Sequence, residues 1–469
     1  MIAPSIISVP WIEPLRVLAR IGEEVGCLAF IGGGDHPLAR WSYILREPVV
    51  TKIGHNHDQT DPFAGLQAQL DRYPFALDPN LGPFQGGWAG LLSYDLGRAF
   101  EVLPVPSDID ANNPAFNWPS LWLGLYDSLA IFDGQSCQAW ALSWGLTKDG
   151  QHNPLLAQAK AQVVASAMRA HSPATPEFST SNRSKSNGLV AKMARPLVED
   201  QFERAISYIK AGDIFQANIS ARFSGVLGQG DTPLNVFLRL MARHPSPFAA
   251  YLRLKDRAVV SHSPERFLSR RFDGQLETRP IKGTAARHED VDLDHKSAET
   301  LLKSAKDRAE NLMIVDLMRN DMARVCLPGS IKVPRLCTLE SFSTVHHLVS
   351  EIVGQQKPGL GFFDALKSCF PPGSITGAPK IRAMEIICEL ENELRGPWCG
   401  SMIWVGFDGG ADSNVLIRTA ACHLNHGHWQ IDARAGAGIV ADSTPRKEYE
   451  EILMKVRAVR VATQDGLTF

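Results

Sequence analysis

The hydrophobic period changes several times along the chain, and each change marks an element. Pro154-Leu-Leu-Ala-Gln-Ala-Lys-Ala-Gln-Val-Val-Ala165 opens a helical pattern that runs to residue 170, and its leading Pro suits a first helical position. Val198 to Ala211 is amphipathic at helical spacing and stops at Gly212, a residue suited to a left-handed cap. Longer helical patterns cover Asp294 to Leu317, Ala378 to Leu394 with Pro379 at its start, and Thr444 to Val461. Between them, Leu121 to Tyr126, Leu129 to Phe132, Ile214 to Phe223, Ala258 to Ser261 and Trp429 to Ala433 read as strands. No segment recurs at a fixed spacing, which excludes a repeat architecture.

From His171 to Asn187 the pattern lapses into Ser, Thr, Pro, Asn, Arg and Lys, too polar to bury a core. The expected organisation is therefore an N-terminal segment 1–170 packed on the core, a linker 171–187 and a catalytic domain 188–469. Near the N-terminus Pro4 and Pro10 interrupt the apolar stretch and no basic region precedes it, so neither a signal peptide nor a membrane-spanning run is expected, and the expected location is the cytoplasm. Lys and Arg total 48 against 50 Asp and Glu, a net charge of −2, which leaves no electrostatic footprint for nucleic acid or an anionic membrane. The eight Cys form no C-x-x-C pair and read as reduced, mostly core thiols.

Candidate chemistry begins at Lys282, in Thr278-Arg-Pro-Ile-Lys-Gly-Thr284, where burial, the nearby Arg279 or a bound cation could lower the amine pKa enough to make it a nucleophile. Taken alone, the heptapeptide reads as a surface lysine beside a Pro-Ile turn. Asp307 and Glu310 lie three apart on one helical pattern and Glu448 and Glu451 on another, so four carboxylates could converge on Mg2+; by themselves such pairs read as solvated faces. Glu265, at the end of a strand, could be an acid with a raised pKa. His347, taken alone, reads as a hydrogen-bonded core histidine beside His346. Gly436-Ala437-Gly438 and Gly373 to Lys380 resemble phosphate-binding turns. The first lacks the second parallel strand and distant acid of a dinucleotide fold, and the second has Pro379 before Lys380, so both are read as turns offering N–H groups to a carboxylate beside a helix N-terminus.

These residues occur in longer segments: Phe84-Gln-Gly-Gly-Trp-Ala-Gly90, Gly212-Asp-Ile-Phe-Gln-Ala-Asn218, Ser263-Pro-Glu-Arg-Phe267, Asp307 to Asp321, Val345-His-His-Leu-Val-Ser350, Gly373-Ser-Ile-Thr-Gly-Ala-Pro-Lys380 and Arg434 to Ser443. In that order they resemble the chorismate-utilising enzymes, and specifically those members that form aminodeoxychorismate. The resemblance implies an α+β fold of large, mostly antiparallel sheets packed together and flanked by helices. It implies Mg2+ held by Glu310 and Glu451, with Asp307 and Glu448 close by, and chorismate carboxylates met by Thr376, Gly377, Gly436, Ala437, Gly438, Arg418 and Lys455. Glu265 would protonate the leaving C4 hydroxyl, with His347 in the active site. Members that add water carry a Lys where this chain has Gln216, and members that make anthranilate carry a small residue where it has Lys282. The implied reaction is therefore attack of Lys282 on chorismate, then displacement by ammonia to give 4-amino-4-deoxychorismate, a folate precursor. The alternatives are an anthranilate-forming component and a chorismate-binding protein without turnover.

The usual Gly-Tyr after Cys-Gly-Ser is replaced by Ile403-Trp404, so substrate contacts there are expected to differ. No Leu-Leu-Glu-Ser segment is present near the N-terminus, and tryptophan inhibition is not expected. No Cys sits in a G-x-C-x-G turn, so ammonia from glutamine would need a separate amidotransferase subunit as partner.

Overall fold

Two antiparallel sheets organise the chain, in agreement with the expected α+β class. The computed structural model describes residues 2–56, 58, 60–107, 115–170, 188–342 and 345–464; within them one sheet has twelve strands and the other ten. The first runs Ser5–Val9, Gln138–Ser143, Ser128–Asp133, Trp41–Leu45, Leu28–Ile31, Phe248–Arg253, Arg257–Ser263, Thr419–Asn425, His428–Ile439, Gln216–Val226 and Gly377–Ala378, with Val190–Ala191 also paired to Gln216–Val226. The second runs Ile281–Ala286, Val345–Gln355, Gln275–Thr278, Arg266–Arg270, Ala411–Asn414, Ser401–Gly406, Gly87–Leu92, Leu121–Tyr126 and Val50–Gly54, with Lys332–Ser341 also on Val345–Gln355. Strands from before residue 171 pair directly with strands from after residue 187 in both sheets: Leu28–Ile31 with Phe248–Arg253, and Gly87–Leu92 with Ser401–Gly406. The stretch 171–187 itself lies outside the described residues.

Strand alternation divides the core in two. Along Phe248–Arg253, Ala250 and Leu252 enter a cluster between the sheets, while Ala249 and Tyr251 enter a second cluster under the helices Pro14–Ile21, Pro154–Arg169, Arg195–Ala211, Pro233–Arg243, Lys380–Glu391 and Pro445–Ala462. Trp404 joins the first cluster, with its ring 5.0 Å from Phe84 and 6.4 Å from Tyr43. All eight cysteines are free and seven are buried. Among the described residues no helix is long and apolar enough to cross a membrane.

Most periodic segments form the elements expected of them. Helix Arg195–Ala211 ends with Gly212 at φ 86°, as its left-handed cap requires. Three expectations are corrected. The pattern 294–317 is two helices, Val291–Lys303 and Ala305–Ala323, because Ser304 caps the second, its hydroxyl accepting the Asp307 N–H at 3.2 Å. Ala378 is extended and paired with Gln216, so Pro379 is the cap of a helix that begins at Lys380. The Gly436 to Gly438 segment is not a turn: His428–Ile439 continues through it as one strand, opposite Ser220, Ile219 and Asn218.

Candidate active site

A cleft floor follows from that last correction. Ala433, Ala435, Ala437 and Ile439 point into the helix-covered core, so Gly436 and Gly438 present bare backbone on the face between the sheets. Opposite them, Ala217, Ile219 and Ala221 are core residues and Gln216 and Asn218 share the glycine face. A Cβ on Gly436 would stand 2.1 Å from Asn218 Oδ1, and one on Gly438 would stand 2.5 Å from Gln216 Nε2 and 3.8 Å from Lys282 Nζ. The glycines are required because polar side chains lie directly across them. Gln216 Oε1 and Asn218 Oδ1 are buried and have no hydrogen-bond partner among the described residues, which leaves both able to accept a hydrogen bond from a ligand. A buried ion pair supports the floor: Arg395 bonds the Asn218 carbonyl at 2.6 Å, and Glu391 accepts the Ser220 N–H at 2.8 Å. At its edge Gly377 lies so close that a Cβ would meet Gln216 O at 2.1 Å, while buried Thr376 accepts the Asn218 N–H at 2.8 Å.

Lys282 is on a strand, Ile281–Ala286, rather than in a surface turn. Part of its stem is exposed, but the amine is enclosed and donates to the Ser374 carbonyl at 3.0 Å. Burial lowers its pKa; Glu310, Glu265 and Glu451 oppose that shift and Lys455 reinforces it. Arg279 takes no part, since its guanidinium is bound to Glu340 and Glu351. Glu265 is buried, and its pKa is pushed up to about 7 by desolvation, against the pull of the Ser374 hydroxyl, Lys282, the Ile281 N–H and Arg418. Ser374 thus joins the acid to the amine. His347 is buried, with Nδ1 at 2.9 Å from Thr284 Oγ1 and Nε2 without a partner among the described residues. Desolvation, then Arg418, lowers its pKa to about 3, so the ring is neutral at physiological pH. His346 is instead tied to Ser341 and Asp294.

The family model for chorismate binding enzymes matches residues 36–461. The chain belongs to the chorismate-binding enzymes. Aminodeoxychorismate synthase component 1 of Salmonella typhimurium is 39% identical to it over 98% of both chains. Anthranilate synthase component 1 of Thermus thermophilus is 36% identical, over 91% of this chain and 87% of its own. The solved structure of anthranilate synthase component I from Streptococcus pneumoniae superposes with a TM-score of 0.76 at 28% identity, covering 91% of this chain and 93% of that one.

In this chorismate-binding enzyme the carboxylates expected to converge do not do so directly. Among the described residues no three His, Cys, Asp or Glu side chains stand at metal-ligating spacing. Like charges repel, and ammonium groups lie among them: Lys306 Nζ is 3.8 Å from Glu310 and 3.9 Å from Glu448, and Lys455 Nζ is 2.6 Å from Glu451. Glu448 also accepts from Ser443 Oγ at 2.8 Å. Burial raises the Glu310 pKa, with Asp307 and Glu451 adding to it, and Lys282 and Lys306 opposing. At Glu451 burial raises the pKa, but Lys455, Lys306 and Lys282 together outweigh it and the pKa falls. The donors are hard oxygens on two helices, and Lys306 stands in as a cation between Glu310 and Glu448, so this set fits a divalent ion better than a solvated face. Lys455 also donates to the Gly436 carbonyl at 2.9 Å, which ties the helix Pro445–Ala462 to the floor. Arg418, at φ 51° just before Thr419–Asn425, lies where its charge acts on both Glu265 and His347. Ser374 and Asn218 were missed as site residues, although both stand inside the segments that carry the family resemblance.

Proposed function

We propose that this chain converts chorismate and ammonia to 4-amino-4-deoxychorismate through a covalent intermediate on Lys282. The observation that carries the reading is the junction at Ser374, which holds the Lys282 amine by its carbonyl and the Glu265 carboxyl by its hydroxyl. A partly desolvated amine and an acid with a pKa of about 7 are the pair that nucleophilic displacement of a hydroxyl needs.

In the proposed sequence Lys282 Nζ, in its neutral form, bonds to ring C2 while both ring double bonds shift, C1=C2 to C1=C6 and C5=C6 to C4=C5, and the C4–O bond breaks. Glu265 gives its proton to the departing oxygen, which leaves as water, and the carboxylate so formed takes the proton shed by the alkylated lysine nitrogen. Ammonia then bonds to C4, both double bonds shift back, the C2–N bond breaks, and the lysine amine is released. The proton lost by the incoming nitrogen goes to the leaving lysine. Neutral His347 and the Gln216 amide orient the ring, and the amide supplies no base for water. Thr376, Gly377, Gly436, Gly438, Arg418 and Lys455, with the Ala437 backbone, surround the substrate carboxylates. Glu310 and Glu451, with Asp307 and Glu448 beside them, would hold Mg2+. When bound, that ion supplies positive charge to the ring carboxylate and steadies the electron density pushed toward it.

The name component 1, borne by the Salmonella relative, supports a partner subunit, here a glutamine amidotransferase that delivers ammonia. Anthranilate formation is the competing reading, supported by the Thermus relative and opposed by the presence of Lys282 at the cleft. Purified chain incubated with chorismate, Mg2+ and ammonium, followed by product identification by mass and chromatography, decides between them. Anthranilate or isochorismate as the main product sinks the proposal.

A further inference from the structure

His36 lies far from Lys282 in sequence, yet it meets the hairpin that borders the cleft. It caps the short turn Pro37–Ala39, and its Nδ1 accepts the Leu38 N–H at 3.2 Å, which leaves the ring proton on Nε2. That nitrogen faces Glu340 Oε2 at 3.4 Å, with the imidazole only 13% exposed. The ring also stacks on Phe342, with centroids 4.8 Å apart and planes 16° from parallel. Phe342 in turn sets its edge against His347, 5.3 Å away at 66°. Glu340 is paired across the hairpin with His347 and holds Arg279, three residues ahead of Lys282. One side chain from the N-terminal part of the chain therefore grips both handles of the hairpin: the ring that flanks His347 and the carboxylate that anchors the approach to Lys282.

We propose that His36 is a positioning residue for catalysis, aligning His347 through Phe342 and the Lys282 strand through Glu340 and Arg279. The proposal rests on the roles given above to His347 and Lys282. Among the described residues the polar and ring partners of His36 are Leu38, Glu340 and Phe342, not the floor glycines or Thr376, so its loss should disturb the reacting groups and spare substrate capture.

The test compares His36→Ala, His36→Phe and His36→Gln in the full chain, with chorismate and ammonium as substrates. His36→Ala should lower kcat about tenfold and change the chorismate KM by less than about twofold. His36→Phe retains the stack and His36→Gln retains a donor for Glu340, so each should recover part of the lost kcat. The 15N shifts of His347 in labelled protein should move in His36→Ala and return toward the unmutated values in His36→Phe. An unchanged kcat in His36→Ala, or a fall that follows Tm equally in all three variants, overturns the proposal. A main product other than aminodeoxychorismate refutes the function reading alone, because the variants are then compared on that product. Without any turnover, unmoved His347 shifts overturn the His36 proposal and moved shifts support it.

Discussion

At the scale of the residue, Lys282 and Glu265 divide the chemistry, and each makes a separate prediction. Replacing Lys282 by Ala removes the attacking amine and leaves the glycine floor and Thr376 in place. Aminodeoxychorismate formation should fall more than about a hundredfold, while calorimetric binding of chorismate changes little. Product formation at the unmutated rate would end the covalent reading. Glu265 has a folded pKa raised from 4.5 to about 7, so it is protonated below that range and loses its proton as pH climbs through it. As the general acid it should impose a decline in kcat/KM for chorismate as pH rises through about 7, measured at saturating ammonium. In Glu265→Gln that decline should vanish along with most of the rate; a limb that persists belongs to another group. Burial supplies this shift, and burial was the part of the argument that sequence could only suppose. Lys282 was legible as a candidate amine and burial as one cause of its shift, but a second cause offered, Arg279, is turned away by Glu340 and Glu351. The contact that matters, with Ser374, spans 92 positions and leaves no local pattern.

At the scale of the element, the glycine-containing strand and the two carboxylate-bearing helices decide what the cleft can hold. Gly438→Ala would put a methyl group 2.5 Å from Gln216 Nε2 and 3.8 Å from the Lys282 amine. Turnover should drop by at least about tenfold, with far-UV circular dichroism unchanged because the residue is already extended in a long strand. A fully active Gly438→Ala would show that the floor is not where substrate lies. The strand period was readable, since Ala433, Ala435, Ala437 and Ile439 alternate with residues of the other face. The paired glycines drew the reading toward a turn because glycine serves both purposes, and only the register against Ser220 and Asn218 separates them. The helix break had a signal too: Ser304 stands three residues before Asp307, a capping spacing hidden inside a continuous helical period. For the metal, Glu310→Gln or Glu451→Gln should raise the Mg2+ concentration that gives half-maximal rate, with Tm little changed because the Lys306 and Lys455 side chains, 55% and 43% exposed, stay solvated when the partner carboxylate is lost. Full activity of the unmutated chain after exhaustive chelation would remove the metal from the reaction.

At the scale of the whole molecule, the two sheets place every proposed reacting group in one cleft, and among the described residues no thiol is placed to serve a second reaction on glutamine. Glutamine hydrolysis by the common amidotransferases needs a thiolate on a tight turn with a histidine partner. Seven of the eight cysteines are buried, and burial raises the pKa of Cys27, Cys326, Cys369, Cys399 and Cys422, which opposes thiolate formation. The exposed Cys137 lies in the hairpin turn between Ser128–Asp133 and Gln138–Ser143, on the first sheet, whereas Lys282 is carried by the second. On the proposed function, the amine source should reach the cleft as ammonia, either free in solution or released by a docked subunit that shields it from protonation and dilution. Chorismate and glutamine given to the isolated chain should yield no aminodeoxychorismate, and ammonium added to the same mixture should start the reaction. A matching glutamine amidotransferase should then make glutamine an effective donor at an ammonium concentration too low to support turnover alone. Efficient use of glutamine by the isolated chain would refute this division of labour and would require a hydrolytic nucleophile elsewhere in the sequence.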